Sequence, residues 1–426
     1  MCQSNLTRFS ISQVPLITGL LFFTALFVNN ASALSLQQAE QLALSDDPLV
    51  KSYLASSRAF DNQSVADNTL PDPKFRLGMF NLPVDTFSTS QEPTTQLRLG
   101  IQQAFPKGDS LEYKQQQSRW LSKSSLSRAD DENLKIIRDL REVYLNLYYE
   151  MKAEKIINNS RSLFKSLVKI TEAHYAAGRV KQQDVLRADL ELSRLDDRVT
   201  TTLGKQDEYR ALLAQWIGEL AYQTIDDNFP VLADIPDTSD INALLTKHPA
   251  VIMETSNVNA SKSMVAMAKQ DYSPGVNAFV EYRKRFGDNP DGSNRSDMLA
   301  AMVTLDIPLF TGNRQDKQVS ANIEKSNAAQ FQLDNKLRVL KRMLEKDMAV
   351  YKRLGQREKL YGEELLASAK NNAEASLSAY QSGVTEFTTL MRSRITELDV
   401  ELADLRIRVD RSRAKARLLY LTGESK

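Results

Sequence analysis

Tyr175-Ala176-Ala177-Gly178 and Tyr380-Gln381-Ser382-Gly383 carry one short pattern twice, 205 residues apart. Gly218-Glu219 and Gly423-Glu424 recur at the same offset, so the 40-residue interval from Gly178 to Gly218 returns between Gly383 and Gly423. Upstream, Gly108 pairs with Gly312 at an offset of 204, and Pro48 and Pro73 pair with Pro249 and Pro274 at 201. Ordered pairs with so little drift indicate an internal duplication. The reading divides the chain into a first repeat at 34–220, a linker at 221–240 holding Pro230 and Pro236, and a second repeat at 241–426.

Each repeat has one layout. No proline lies between Pro106 and Pro230, and none follows Pro308. Proline costs about 3 kcal/mol inside a helix, so these stretches permit long helices. Ile137, Leu140, Tyr144, Leu147 and Met151 recur at spacings of three and four, as do Ile395, Leu398, Leu402, Leu405 and Val409. That is the seam of helices packed as coiled coils. The first repeat is read as helices over 36–44, 48–70, 109–177 and 179–216. The second is read as helices over 249–270, 313–382 and 385–422.

Between the helices lie alternating segments, read as strands near 74–82, 94–104, 276–286 and 297–307. Phe75, Leu77 and Met79 alternate with Lys74, Arg76 and Gly78; Leu97, Leu99 and Ile101 alternate with Arg98 and Gly100. Val276, Ala278, Val280 and Tyr282 alternate with Asn277, Phe279, Glu281 and Arg283. Such alternation gives a sheet one apolar face. A small soluble sheet packed on helices fits it, and so do tilted transmembrane strands of about 9–11 residues. Arg76, Arg98 and Arg283 on the second face suit a water-filled lumen, and the strand loops 83–93 and 287–296 are rich in turn residues. Four strands cannot close a barrel, and an open edge is not tolerated in lipid. Membrane-spanning strands would therefore have to be pooled between protomers; three protomers make a twelve-stranded barrel.

Composition narrows the function. The 426 residues hold 55 Lys+Arg and 54 Asp+Glu, a net charge of +1 that argues against nucleic acid as a partner. The mean hydropathy of −0.39 excludes a polytopic helical membrane protein. Val14–Val28 is an apolar run followed by Ala31-Ser32-Ala33, which reads as a signal peptide over 1–33 cut before Leu34; an uncleaved anchor is the other reading. Cys2 is the only cysteine, and His174 and His248 are the only imidazoles, which leaves no zinc or copper site of the usual kind. Met264 and Met267 could touch Cu(I), or simply pack between helices. No nucleophile–base pair or phosphate-binding glycine loop appears, so neither an enzyme nor a cofactor is expected.

Tyr175 to Leu186, Pro106-Lys107-Gly108 and Pro308 to Gly312 resemble the helix turn and strand-to-helix junctions of the outer-membrane efflux protein family, the TolC-like channels. The resemblance covers residues 34–426. Pro71-Asp72-Pro73 and Phe105 to Gly108 look like its heavy-metal efflux branch. The resemblance implies a mainly α protomer with a small β part. It would trimerise into a twelve-stranded barrel in outer-membrane lipid over an α-helical periplasmic tunnel. It further implies export of small molecules or metal ions, with an inner-membrane pump and a periplasmic adaptor as partners. A periplasmic adaptor or structural coiled-coil protein is the alternative. By motif position Asp184 and Tyr380 match gate residues, Gln183 matches a second gate position, and Gly178 and Gly383 mark the periplasmic tips. Thr385 replaces the family's arginine, and Thr389 and Arg392 stand where some members place acidic rings. Asp184 could accept a hydrogen bond from Tyr380, or cap its own helix while Tyr380 packs.

Overall fold

The computed structural model describes residues 33–236 and 240–423. The signal peptide expected over 1–33 lies outside the described residues up to 32. The elements run α1 (Leu36–Ser45), α2 (Pro48–Asp67), β1 (Lys74–Phe80), β2 (Gln96–Phe105), α3 (Ser110–Ala176) and α4 (Gln182–Ile217). The same order returns as α5 (Ile241–Thr246), α6 (Pro249–Lys269), β3 (Gly275–Arg285), β4 (Met298–Asp306), α7 (Gln315–Leu360) with α8 (Leu366–Gln381), and α9 (Phe387–Thr422).

At 67 residues, α3 is about 100 Å long at ~1.5 Å per residue. It is the spine, with α2, α4, α6 and α9 packed along it. Three apolar clusters follow one another down its length. One joins Leu134 to Leu245, Leu340 and Leu344. The middle one joins Leu140, Tyr144 and Leu147 to Leu213, Leu405 and Val409. The third, towards the tips, joins Phe164 and Leu167 to Leu195, Leu390 and Leu398. The seam residues foreseen in α3 and α9 thus supply the core, each fully buried leucine contributing about 1.5–3 kcal/mol. Tyr144 also donates its hydroxyl to Leu34 O at 2.8 Å, holding the segment before α1 against the spine.

The two hairpins join into one sheet of order β1-β2-β3-β4, every pair antiparallel. β2 and β3, from different repeats, form the central pair. Both edges, β1 and β4, have an unpaired side within the protomer.

Two features depart from the expected layout. The helix read over 313–382 is interrupted by a π-helical turn at Tyr361–Leu365. Gly362 sits in it, and Gly355 lies one helical segment earlier. Glycine costs a helix about 1 kcal/mol against alanine, which weakens this stretch where α3 has no glycine. Gly355 has a packing reason: a Cβ there would meet the Arg411 guanidinium at 3.3 Å, and Arg411 crosses it to bind Glu358 at 2.6 Å. The second departure is α5, a six-residue helix whose periodicity is too short to register. It is nucleated by Asp240, whose carboxylate accepts the Ala243 N–H at 3.0 Å.

The two tip turns share one backbone closure. Gly178 and Gly383 have φ of +69° and +73°. Arg179 N donates to His174 O at 2.8 Å, and Val384 N to Ala379 O at 2.9 Å. This is the closure that ends a helix on a left-handed glycine.

His248 opens α6 and is buried. Its Nδ1 accepts the Ala250 N–H at 3.2 Å, so the ring proton sits on Nε2 and is donated to Tyr420 O at 3.0 Å. Burial lowers the His248 pKa, with the Asp131 carboxylate opposing. The folded state therefore holds imidazole neutral where the unfolded chain would protonate it. Stability falls as pH drops through the unfolded value near ~6.5. His248→Asn, which keeps a capping side chain, should lose this acid sensitivity. Thermal unfolding of both proteins between about pH 7 and 5 checks it, and equal pH slopes would contradict the assignment.

Candidate functional site

The sheet register sorts its side chains into two unlike faces. On one face Phe75, Ile101, Val280 and Ala301 form a row across all four strands, and Leu77, Leu99, Tyr282 and Leu299 form the next. This face is not covered by the protein: Phe75 is 66% exposed and Leu299 74%. The opposite face carries the three arginines singled out by sequence. Arg76 binds Gln102 Oε1 at 2.6 Å. Arg98 and Arg283 face each other on paired positions. Like charges there repel. Glu281 relieves them, its carboxylate 2.6 Å from Arg283 and 3.8 Å from Arg98. Alternation had set Glu281 on this face; that it bridges two arginines depends on the cross-strand register, which the sequence does not show.

At the far end of the helices, the two tip turns enclose a cleft of about 550 Å³. Gln183, Asp184, Tyr380, Gly383 and Thr385 all line it, so the structure brings these expected gate residues together, with Gly178 in the adjoining turn. Gln183 is exposed, and Thr385 N donates to Ala379 O at 3.4 Å. Asp184 and Tyr380 do not bond each other in the protomer. Asp184 Oδ2 instead accepts the Lys181 N–H at 3.4 Å, capping its own helix. Tyr380 is buried, its ring tilted against His174 at 5.8 Å and meeting the edge of Phe387 at 5.7 Å. Its hydroxyl is enclosed near Thr171 without a hydrogen bond of good geometry; burial pushes its pKa up, the Thr171 hydroxyl opposes this, and the Asp184 carboxylate adds to it. His174 and Phe387 were not foreseen, because they approach Tyr380 from α3 and α9. Thr389 and Arg392 are exposed on α9. Met264 and Met267 are half-buried on α6, which packs between α3 and α7.

Among the described residues no helix is long and apolar enough to cross a membrane. A long helical spine bearing a four-stranded sheet with an uncovered apolar face is thus the class that the fold defines. Residues 241–424 match the family described as outer membrane efflux protein. No curated protein matches the chain at a significant level. Among solved structures, the outer-membrane channel OprN superposes with a TM-score of 0.77 at 18% identity, covering 91% of this chain and 89% of that one. VceC from Vibrio cholerae superposes with 0.77 at 16%, covering 91% and 96%. The open state of the Neisseria gonorrhoeae MtrE channel gives 0.77 at 14%, covering 92% and 89%.

A buried hydroxyl without a partner costs about 1–3 kcal/mol, so Tyr380→Phe should leave stability unchanged or raise it within that range. Asp184→Ala should cost about 0.5 kcal/mol through the lost cap. Thermal unfolding of the two variants checks both, and a marked loss in Tyr380→Phe would show that the hydroxyl is bonded in the assembled protein.

Proposed function

We propose that this protein is the outer-membrane channel of a tripartite efflux system, carrying small molecules or metal ions from an inner-membrane pump and periplasmic adaptor to the outside. The sheet carries the reading. Its apolar rows run unbroken across four strands, and both its edges are open. Such a face is at home in hydrocarbon, and hydrocarbon admits no open edge, so three protomers would close a twelve-stranded barrel. The helical body, with the tip cleft at its far end, would then be the periplasmic tunnel, closed near Tyr380 and Asp184. Loops 83–93 and 287–296 would face the outside. The first repeat, with the same element order as the matched second one, is read as a further copy of the same domain. A periplasmic adaptor or soluble coiled coil would leave Phe75, Leu77, Leu299 and Val303 bare in water.

The test contrasts two positions on one strand. Val303, mid-strand and paired with Ala278, lies on the apolar face, and Met302, paired with Phe279, on the opposite one. Val303→Arg should cost about 2–4 kcal/mol of membrane stability, whereas Met302→Arg should insert normally. Recovery of each from outer-membrane fractions reads the difference. Equal recovery of both, or release of the wild type with the periplasm, would overturn the channel reading.

A further inference from the structure

The polar face of the sheet is not merely hydrophilic. Lys74, Arg76, Arg98, Arg283 and Arg285 fall on it by register, against only Glu281 and Asp306, a surplus of three positive charges. The whole chain carries a net charge of +1, so this one face is more positive than the molecule that bears it.

The surplus is not neutralised locally. One carboxylate, Glu281, is shared by Arg98 and Arg283. Arg76 has a neutral partner, Gln102. Arg285 donates to the Pro93 carbonyl at 3.1 Å. The guanidiniums are also held in place. Arg98 lies 3.6 Å over the Phe80 ring, and Arg76 lies 5.4 Å from the centre of the Phe279 ring. The Phe279 ring fills the space beside Gly100, where a Cβ would come within 2.8 Å of it. Aromatic stacking fixes a guanidinium without consuming its charge.

On the channel reading, which this inference deepens, three copies turn that face inward and multiply the surplus around one lumen. A narrow water path with low-dielectric walls focuses such a field, and rings of Arg and Lys favour anions. We propose that the barrel is an anion-selective collar, and that the channel's cargo is small molecules bearing net negative charge rather than bare metal cations.

Purified trimers in planar bilayers under a KCl gradient test this through the reversal potential. Wild type should reverse with the sign set by chloride. Arg76→Gln with Arg98→Gln should move the potential towards zero, and Glu281→Gln should move it further in the chloride direction. Arg76→Gln alone keeps the ion-paired group intact and guards against misfolding of the double variant; it should give a smaller shift of the same sign. A wild-type potential of potassium sign, or no shift in Arg76→Gln, would overturn the collar while leaving the channel standing. Absence of any conductance from intact trimers would overturn the channel reading itself, and the collar with it.

Discussion

A sheet with two open edges and one bare apolar face cannot be a finished structure in any solvent. In water, the rows containing Phe75, Leu77 and Leu299 expose hydrocarbon; in lipid, the unpaired edge groups of β1 and β4 cost several kcal/mol each. Only pairing of edge with edge, copy to copy, satisfies both demands. Everything else in the protomer can be understood as a way of bringing that incomplete sheet into a closed ring.

The helices do this by rigidity. α3 begins five residues after β2 ends, and the junction is built for one geometry. Gly108 takes φ +47° there, where a Cβ would strike the Gln270 side chain at 2.2 Å, and Gln270 Oε1 accepts the Asp109 N–H at 3.2 Å. The end of the second repeat's α6 thus seats the start of the first repeat's spine. Beyond that junction α3 packs first through buried serines, Ser118 donating to Asp67 at 2.6 Å and Ser122 meeting Ser57 at 3.0 Å, and from Ala129 to Val168 through one apolar cluster after another. The tip turns close on Gly178 and Gly383, whose positive φ lets two long helices reverse without strain.

Much of this was legible because it is written in local periodicity. Spacings of three and four gave the α3 and α9 seams, alternation gave the strands, and glycine and proline gave the tip turns and the starts of α2 and α6. What escaped depends on contacts between distant segments. The fork of Arg98, Glu281 and Arg283 exists only once β2 and β3 are in register. Tyr380 is enclosed by His174 and Phe387, from helices that sequence order does not bring together. The π-turn at Tyr361–Leu365 changes the phase of a helix without changing its composition. Sequence left two partners open for Asp184; in the protomer it takes the local one, its own helix N-terminus. Alternation already put Lys74 beside Arg76 within one strand, but only the cross-strand register gathers Arg98, Arg283 and Arg285 onto that same polar face.

The central claim is that β1 of one copy pairs with β4 of the next. The sole native cysteine is Cys2, so engineered cysteines report cleanly. Single cysteines placed in turn along β1, residues 74–80, each combined with Ala300→Cys on β4, should form disulfides in isolated membranes at one narrow register. The products should run as a ladder ending at three chains. Disulfides confined within single chains, or a ladder extending past three, would contradict a closed three-copy barrel.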